Sequence, residues 1–193
     1  MKQLYLIRHG ETDMNVAKVY YGATDCPLNA KGREQAAALK EIFQEIPVDL
    51  VYTSPLCRAA DTAAMIFGKN VKTIVDPRLK EMNFGIWEGK YYKDIETDPA
   101  YIAWMEDWEH TPAPGGESYD ELAERVEEFY RDLLACDAQR VAMVCHNAVL
   151  MLLLPALLSL TRTQGWHFAF GQGVYTYLEL DNDFPILKGM NIK

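Results

Sequence analysis

Leu4-Tyr5-Leu6-Ile7-Arg8-His9-Gly10-Glu11-Thr12 begins as a short apolar run and stops on two cationic side chains and a glycine. A run of that length ending in a glycine loop reads as a buried strand followed by a functional turn. The same sentence recurs down the chain. Asn29 is placed to cap a helix whose apolar positions Ala36, Ala37, Leu39, Ile42 and Phe43 keep helical spacing as far as Pro47. Leu50-Val51-Tyr52-Thr53 reads as a strand, Ser54-Pro55 as the start of a helix to about Phe67, and Val71 to Val75 as a third strand. Lys80 to Gly116 breaks the alternation, being rich in aromatics, acids, Pro and Gly, and reads as an inserted helical lid with one short helix from Ala100 to Trp108. Order resumes where Ser118 and Glu121 form a capping box for a helix to about Ala135. Arg140 to Cys145 is another strand, Ala148 to Leu160 a buried helix kinked or interrupted at Pro155, and Val174 to Leu180 with Pro185 to Met190 a hairpin around Asp181-Asn182-Asp183. Alternating strands and helices predict an α/β three-layer sandwich, with a mainly parallel central sheet covered by helices on both faces.

The whole chain of 193 residues fits one domain of ordinary size, with the lid inserted at about 80–116. Its 49% hydrophobic and 24% charged residues match a soluble globular protein that buries one sizeable core. Nineteen Lys+Arg against 28 Asp+Glu leave a formal charge of −9, which argues against nucleic-acid or anionic-membrane partners. The apolar N-terminus is too short for a signal sequence, and Ala148–Leu160 falls short of the roughly 20 apolar residues that span a bilayer. Cys26, Cys57, Cys136 and Cys145 contain no Cys-x-x-Cys pair, so free thiols in a reducing cytoplasm are expected, with no metal site.

Ligands of open parallel sheets collect outside the carboxyl ends of the strands. Two of the four histidines stand at such ends, His9 after the first strand and His146 after Arg140–Cys145. Arg8 adjoins His9, and Arg58 lies in the first turn of the helix after Leu50–Thr53. Like cations gathered at one edge repel each other unless an anion belongs there. Phosphate suits guanidinium forks and helix N-termini alike.

Arg8-His9-Gly10-Glu11-Thr12 with Asn15 resembles the signature of the histidine phosphatase superfamily, also called phosphoglycerate-mutase-like. The rest of that pattern follows in order: Thr24-Asp25-Cys26-Pro27-Leu28 before Gly32, Ser54-Pro55-Leu56-Cys57-Arg58-Ala59 before Thr62-Ala63, and Leu79-Lys80-Glu81 before Gly85-Ile86-Trp87-Glu88-Gly89. Gly115-Gly116-Glu117-Ser118 and Val144-Cys145-His146 complete it. Within the superfamily, Glu81 to Glu88, Trp104 to Pro112, Trp166-His167-Phe168 and Gln172-Gly173 are most similar to the α-ribazole phosphatase branch. Asn147-Ala148 depart from the glycine that most members carry after the second histidine, and Met151 replaces an arginine found in many relatives.

The resemblance implies a metal-independent phosphomonoesterase without a cofactor. His9 would attack phosphorus, Arg8, Arg58 and His146 would neutralise the phosphoryl oxygens, and Glu81 would act as acid and then base. Glu11 is the second candidate for the acid. Asn15, Asn147, Trp104 and Trp108 are expected to bind substrate, and α-ribazole 5′-phosphate of cobalamin biosynthesis is the substrate implied. A homodimer is compatible with the sequence. Rival readings are a broad-specificity phosphatase, a cofactor-dependent phosphoglycerate mutase and a non-catalytic phosphate-binding module. The last would have been favoured by loss of His9, Arg58 or His146, and all are present. His110 and His167 read as a lid residue and a packed or capping residue, and Cys145 as a small buried hydrophobe.

Overall fold

The computed structural model describes residues 1–182 and 184–193. Four strands lie parallel in the sheet: β1 (Lys2–Arg8), β2 (Leu50–Thr53), β3 (Lys72–Val75) and β4 (Arg140–Cys145). A hairpin of β5 (Tyr175–Asp181) and β6 (Phe184–Ile192) adds to β1, with β5 antiparallel to it, giving the order β3-β2-β4-β1-β5-β6. The hairpin is thus where the sequence puts it; of its predicted turn, Asp183 lies outside the described residues.

Alternation along the strands divides the core in two, as a period of two requires. Leu4, Leu6, Tyr52, Val141 and Met143 pack with α6 (Tyr119–Ala135) and α7 (Asn147–Leu157). Tyr5, Ile7, Val51, Ala142 and Val144 face α2 (Ala30–Glu45) and α3 (Cys57–Phe67). Both faces of the sheet are therefore dry, which explains why β1, β2 and β4 read as continuous apolar runs. Helix starts follow the sequence: Asn29 Oδ1 accepts from Gly32 N, and Ser118 and Glu121 form the reciprocal capping box. A second box, Thr12 with Asn15, starts the short α1 (Asp13–Ala17).

The lid differs from expectation. Two short helices, α4 (Tyr92–Ile95) and α5 (Pro99–Glu106), replace the single predicted one. One turn of helix is too short to leave a periodic signal, and Asp98 caps α5 with Pro99 at its first position. The lid is no separate layer either, since Trp87, Ile95, Tyr101 and Trp104 join the core under α6 and α7. α7 ends at Leu157 rather than Leu160, and Pro155 sits inside it without interrupting it. Proline cannot donate to the Met151 carbonyl, and Gly165 packs there instead, so closely that a Cβ would lie 1.9 Å from that oxygen.

Candidate active site

Three segments that follow parallel strands deliver two guanidiniums and two imidazoles to one edge. β1 ends in Arg8 and leads to His9, β4 leads to His146, and Arg58 enters from the first turn of α3. The loop after β1 is held by Gly10 N donating to Thr62 Oγ1 at 3.1 Å, while Thr62 Oγ1 donates to the Arg58 carbonyl at 2.6 Å. Gly10 runs so close to α2 that a Cβ would stand 2.4 Å from the Gly32 oxygen, which is why glycine follows the histidine.

His9 is 2% exposed, and its Nδ1 lies 2.7 Å from the Gly10 carbonyl oxygen. A carbonyl only accepts, so Nδ1 carries the proton and Nε2 keeps its lone pair. Burial, aided by the charges of Arg58 and Arg8, pushes the His9 pKa down to about 3, so the ring is neutral at physiological pH. The His146 ring centroid is 5.1 Å away. Burial and the neighbouring His9 and arginines likewise hold His146 well below its ordinary value, and its Nε2 joins Ser54 Oγ at 2.8 Å. Arg58 is fully buried and donates to the Thr24 and Gly22 carbonyls at 2.9 and 2.8 Å, and Arg8 donates to the Phe170 carbonyl at 2.7 Å. Among the described residues, Arg8 Nε, Arg58 Nε and His146 Nδ1 are buried without a hydrogen-bond partner. An unmatched buried donor costs about 1–3 kcal/mol, and two guanidinium Nε–H groups with a further unpaired ring nitrogen beside the neutral His9 imidazole suit the oxygens of a phosphoryl group.

Glu81 stands between two cavities. One, of about 260 Å³, is lined by Arg8, His9, Asn15, Tyr21 and Arg58 together with Tyr20, Glu81 and Phe84. The other, of about 500 Å³, shares Tyr20, Glu81 and Phe84 and is otherwise walled by lid aromatics, Tyr119, Trp166 and the start of α7. The Glu81 carboxylate accepts from Met82 N at 3.0 Å and from Ala148 N at 3.2 Å, at the N-terminus of α7. Desolvation outweighs these bonds and the nearby arginines, so its pKa is raised above the usual carboxylate value. Glu11 is no comparable acid, because Asn29 and Lys31 hold it low on the surface.

The structure therefore brings Arg8, His9, Arg58, His146 and Glu81 together, with Asn15 on the cleft wall. Asn15 Oδ1 is also committed to the Thr12 cap at 3.1 Å. Asn147, Trp104 and Trp108 line the larger cavity. Trp104 is only 6% exposed, packed on Trp87 at 4.9 Å between centroids, so it supports the wall more than it forms its surface. The accessible aromatic is Trp166, 58% exposed and edge-on to Trp108 at 5.2 Å. Sequence reasoning treated Trp166 only as part of a resemblance, since nothing local marks a loop tryptophan as reaching the lid. It also missed Ser54, Tyr20, Tyr21 and Arg125, whose guanidinium donates to the Glu81 carbonyl at 3.2 Å and to both oxygens of Glu117. Among the described residues, no group of His, Cys, Asp and Glu is arranged to hold a metal ion, and no helix is long and apolar enough to cross a membrane.

Comparison with known proteins agrees with this geometry. The family model of the histidine phosphatase superfamily (branch 1) matches residues 4–193. Adenosylcobalamin/α-ribazole phosphatase of Salmonella typhimurium is 37% identical over 193 residues, spanning 98% of this chain and 96% of that one. The crystal structure of the α-ribazole phosphatase from Shigella flexneri superposes with a TM-score of 0.93 at 35% identity, covering 98% of this chain and 96% of the other. A mycobacterial glucosyl-3-phosphoglycerate phosphatase in complex with VO3 gives 0.84 at 30% identity and covers 100% of both chains. With the family model matching residues 4–193 and these relatives similar over nearly their full length, the chain belongs to branch 1 of the histidine phosphatase superfamily and is a phosphoric monoester hydrolase.

Proposed function

We propose that this enzyme dephosphorylates α-ribazole 5′-phosphate in cobalamin biosynthesis, in the cytoplasm, through a phosphohistidine on His9. The observation that carries the reading is the shared wall. Because Glu81, Tyr20 and Phe84 line both cavities, a phosphate in the cationic cleft puts its ester oxygen beside Glu81 and its alcohol in the aromatic cavity. Among the described residues that cavity has no Lys or Arg in its lining, which includes Met151. A flat apolar base gains from stacking there, whereas a second anionic group finds no partner. Proteins named for α-ribazole phosphatase activity, at 37% and 35% identity, support the same substrate.

In this mechanism His9 Nε2 attacks phosphorus, forming an N–P bond as the P–O bond to the ribose 5′ oxygen breaks. Glu81, whose pKa is raised by burial, gives its proton to that leaving oxygen from its protonated form. Arg8, Arg58 and His146 take the non-bridging oxygens, where charge is stabilised in the transition state. Leu56 N donates to Ser54 Oγ, which frees the hydroxyl proton for His146 Nε2, and in that tautomer His146 Nδ1–H is left for phosphate. The Glu81 carboxylate then removes a proton from water, which attacks phosphorus, releases inorganic phosphate and restores neutral His9. Asn15 closes the phosphate side, and Asn147, Trp108 and Trp104 border the alcohol. The guanidiniums supply the positive charge that the chemistry requires.

Phosphate release from α-ribazole 5′-phosphate, 3-phosphoglycerate and phosphoserine, measured side by side in EDTA, tests this reading. α-Ribazole 5′-phosphate is expected to have the highest kcat/KM. Equal or better turnover of 3-phosphoglycerate would overturn the substrate assignment and leave the family standing.

A further inference from the structure

We propose that Glu88 is a positioning residue for Arg58, acting through the Gly22–Ala23 peptide group. The inference rests on the reading of Arg58 as a phosphate ligand. Arg58 is a fully buried cation whose protein partners are two backbone carbonyls and the face of Tyr21, 4.7 Å from the guanidinium carbon. No carboxylate forms an ion pair with it among the described residues. Buried charge without a counter-charge is costly, so its compensation must come from further off.

Glu88 supplies it. Its Oε1 accepts from Gly22 N at 2.9 Å and Ala23 N at 3.0 Å, and its Oε2 accepts from Thr24 N at 3.0 Å. The Ala23 N–H and the Gly22 carbonyl belong to one peptide plane, and that carbonyl accepts from Arg58 Nη2 at 2.8 Å. Carboxylate, peptide dipole and guanidinium therefore lie in series, each polarising the next. A direct Glu–Arg pair would satisfy the guanidinium and compete with phosphate. Routing the negative charge through a peptide keeps Arg58 stabilised while its Nε has no acceptor among the described residues.

Two further contacts fix the length of this relay. Gly22 lies against the Met82 carbonyl, where a Cβ would approach to 1.5 Å, so only glycine lets the Arg58 loop sit this close to the segment after Glu81. Glu88 Oε1 also accepts from Phe84 N at 2.9 Å, tying the Arg58 loop to the segment that carries Glu81. One carboxylate thus sets both the position of the phosphate-binding guanidinium and its spacing from the acid.

Orthovanadate affinity, with inhibition read on an aryl phosphate, separates this role from a structural one. Glu88→Gln keeps the shape but loses the charge, and one of its two carboxylate oxygens becomes an N–H donor facing amide N–H groups. It is expected to weaken vanadate by about tenfold or more, the size usual for outer partners of a bound charge. In an Arg58→Lys background the same change is expected to cost less than about threefold, because the group it acts through is gone. Losses that multiply in the double variant would overturn the proposal, as would unchanged vanadate affinity with only a lowered Tm. If Glu88→Gln does not fold, Glu88→Asp, which keeps the charge and shortens the reach, is read in the same cycle with the same criteria. Arg58→Lys alone guards the premise: wild-type vanadate affinity there would remove Arg58 as a phosphate ligand, independently of Glu88.

Discussion

The cationic cleft takes its residues from the ends of β1 and β4 and the first turn of α3, whereas the aromatic cavity is gathered from Tyr20, residues 81–84, the lid, Tyr119, α7 and Trp166. The first is anchored in the sheet: His9, Arg58 and His146 are at most 2% exposed and fixed by short backbone or hydroxyl contacts. The second is walled by side chains that pack mainly on one another, ending at a tryptophan 58% exposed. Chemistry that needs fixed charge sits on the rigid scaffold, and recognition of the alcohol sits on elements that can vary without disturbing it.

The largest expected effects belong to the cleft. His9→Ala is expected to fold and to lose at least about 10⁴-fold in kcat, as removal of a nucleophile does elsewhere. An alkaline denaturing quench of the wild type during turnover, with peptide mapping kept alkaline, is expected to place an acid-labile phosphate on His9; full turnover by the variant would break the assignment. Glu81, at the junction, comes next. Glu81→Gln is expected to cost roughly 10²–10⁴-fold on α-ribazole 5′-phosphate and much less on aryl esters, whose leaving groups need no proton. The pH profile follows from the signs. His9, at about 3, stays neutral through mildly acidic pH, so it sets no limb there. Glu81 is raised, so phosphohistidine formation from alkyl esters falls as pH climbs through its value. An alkaline limb unchanged in Glu81→Gln would move the acid elsewhere.

The cavity is expected to respond more weakly and in a different quantity. Trp166→Ala and Trp108→Ala each remove a stacking face worth about 1–3 kcal/mol, or roughly tenfold to a hundredfold in kcat/KM for α-ribazole 5′-phosphate. 3-Phosphoglycerate turnover is expected to change little. Trp104→Ala sharpens the contrast, because a buried tryptophan at the back of the wall is expected to cost stability, about 3–5 kcal/mol, more than specificity. Equal losses on both substrates from the Trp166 and Trp108 variants would show that the cavity does not select the alcohol.

The same division explains what the sequence made legible. Arg8, His9, Arg58 and His146 were readable because each follows an apolar strand or opens a helix, so local pattern places it at the sheet edge. Glu81 was readable only through its glycine-rich context. The hairpin was visible from its two alternating runs, but not that β5 would pair antiparallel to β1, since register across long separations leaves no local mark. The lid failed for the opposite reason to the strands. α4 has four residues, and its packing comes from aromatic pairs such as Trp87 with Tyr101, 5.4 Å apart, that no single period predicts. Glu88 and Arg125 look like solvated charges until backbone amides or carbonyls from remote segments converge on them.

The smallest effect concerns how the cavity's outer wall is tied down, and it opposes the cleft in its pH dependence. His110, on the lid just after Trp108, joins Asp120 at the start of α6 at 2.6 Å, and Arg162, four residues before Trp166, pairs with the same carboxylate. The hydrogen bond and charge of Asp120, with Asp107 behind it, raise the His110 pKa. A raised histidine stabilises fully below its unfolded value of about 6.5 and loses that contribution as pH rises through the folded value. His9 is depressed, so its burial instead penalises the fold as pH falls from about 6.5 towards 3. The Tm difference between wild type and His110→Gln is therefore expected to be largest near pH 5.5 and to shrink towards pH 8.5, on the order of two units above the ordinary histidine pKa. The residual should be small, because Arg162 still holds Asp120 when His110 is neutral. A difference that grows with pH would mean that His110 contributes through its neutral form and not through its charge beside Asp120.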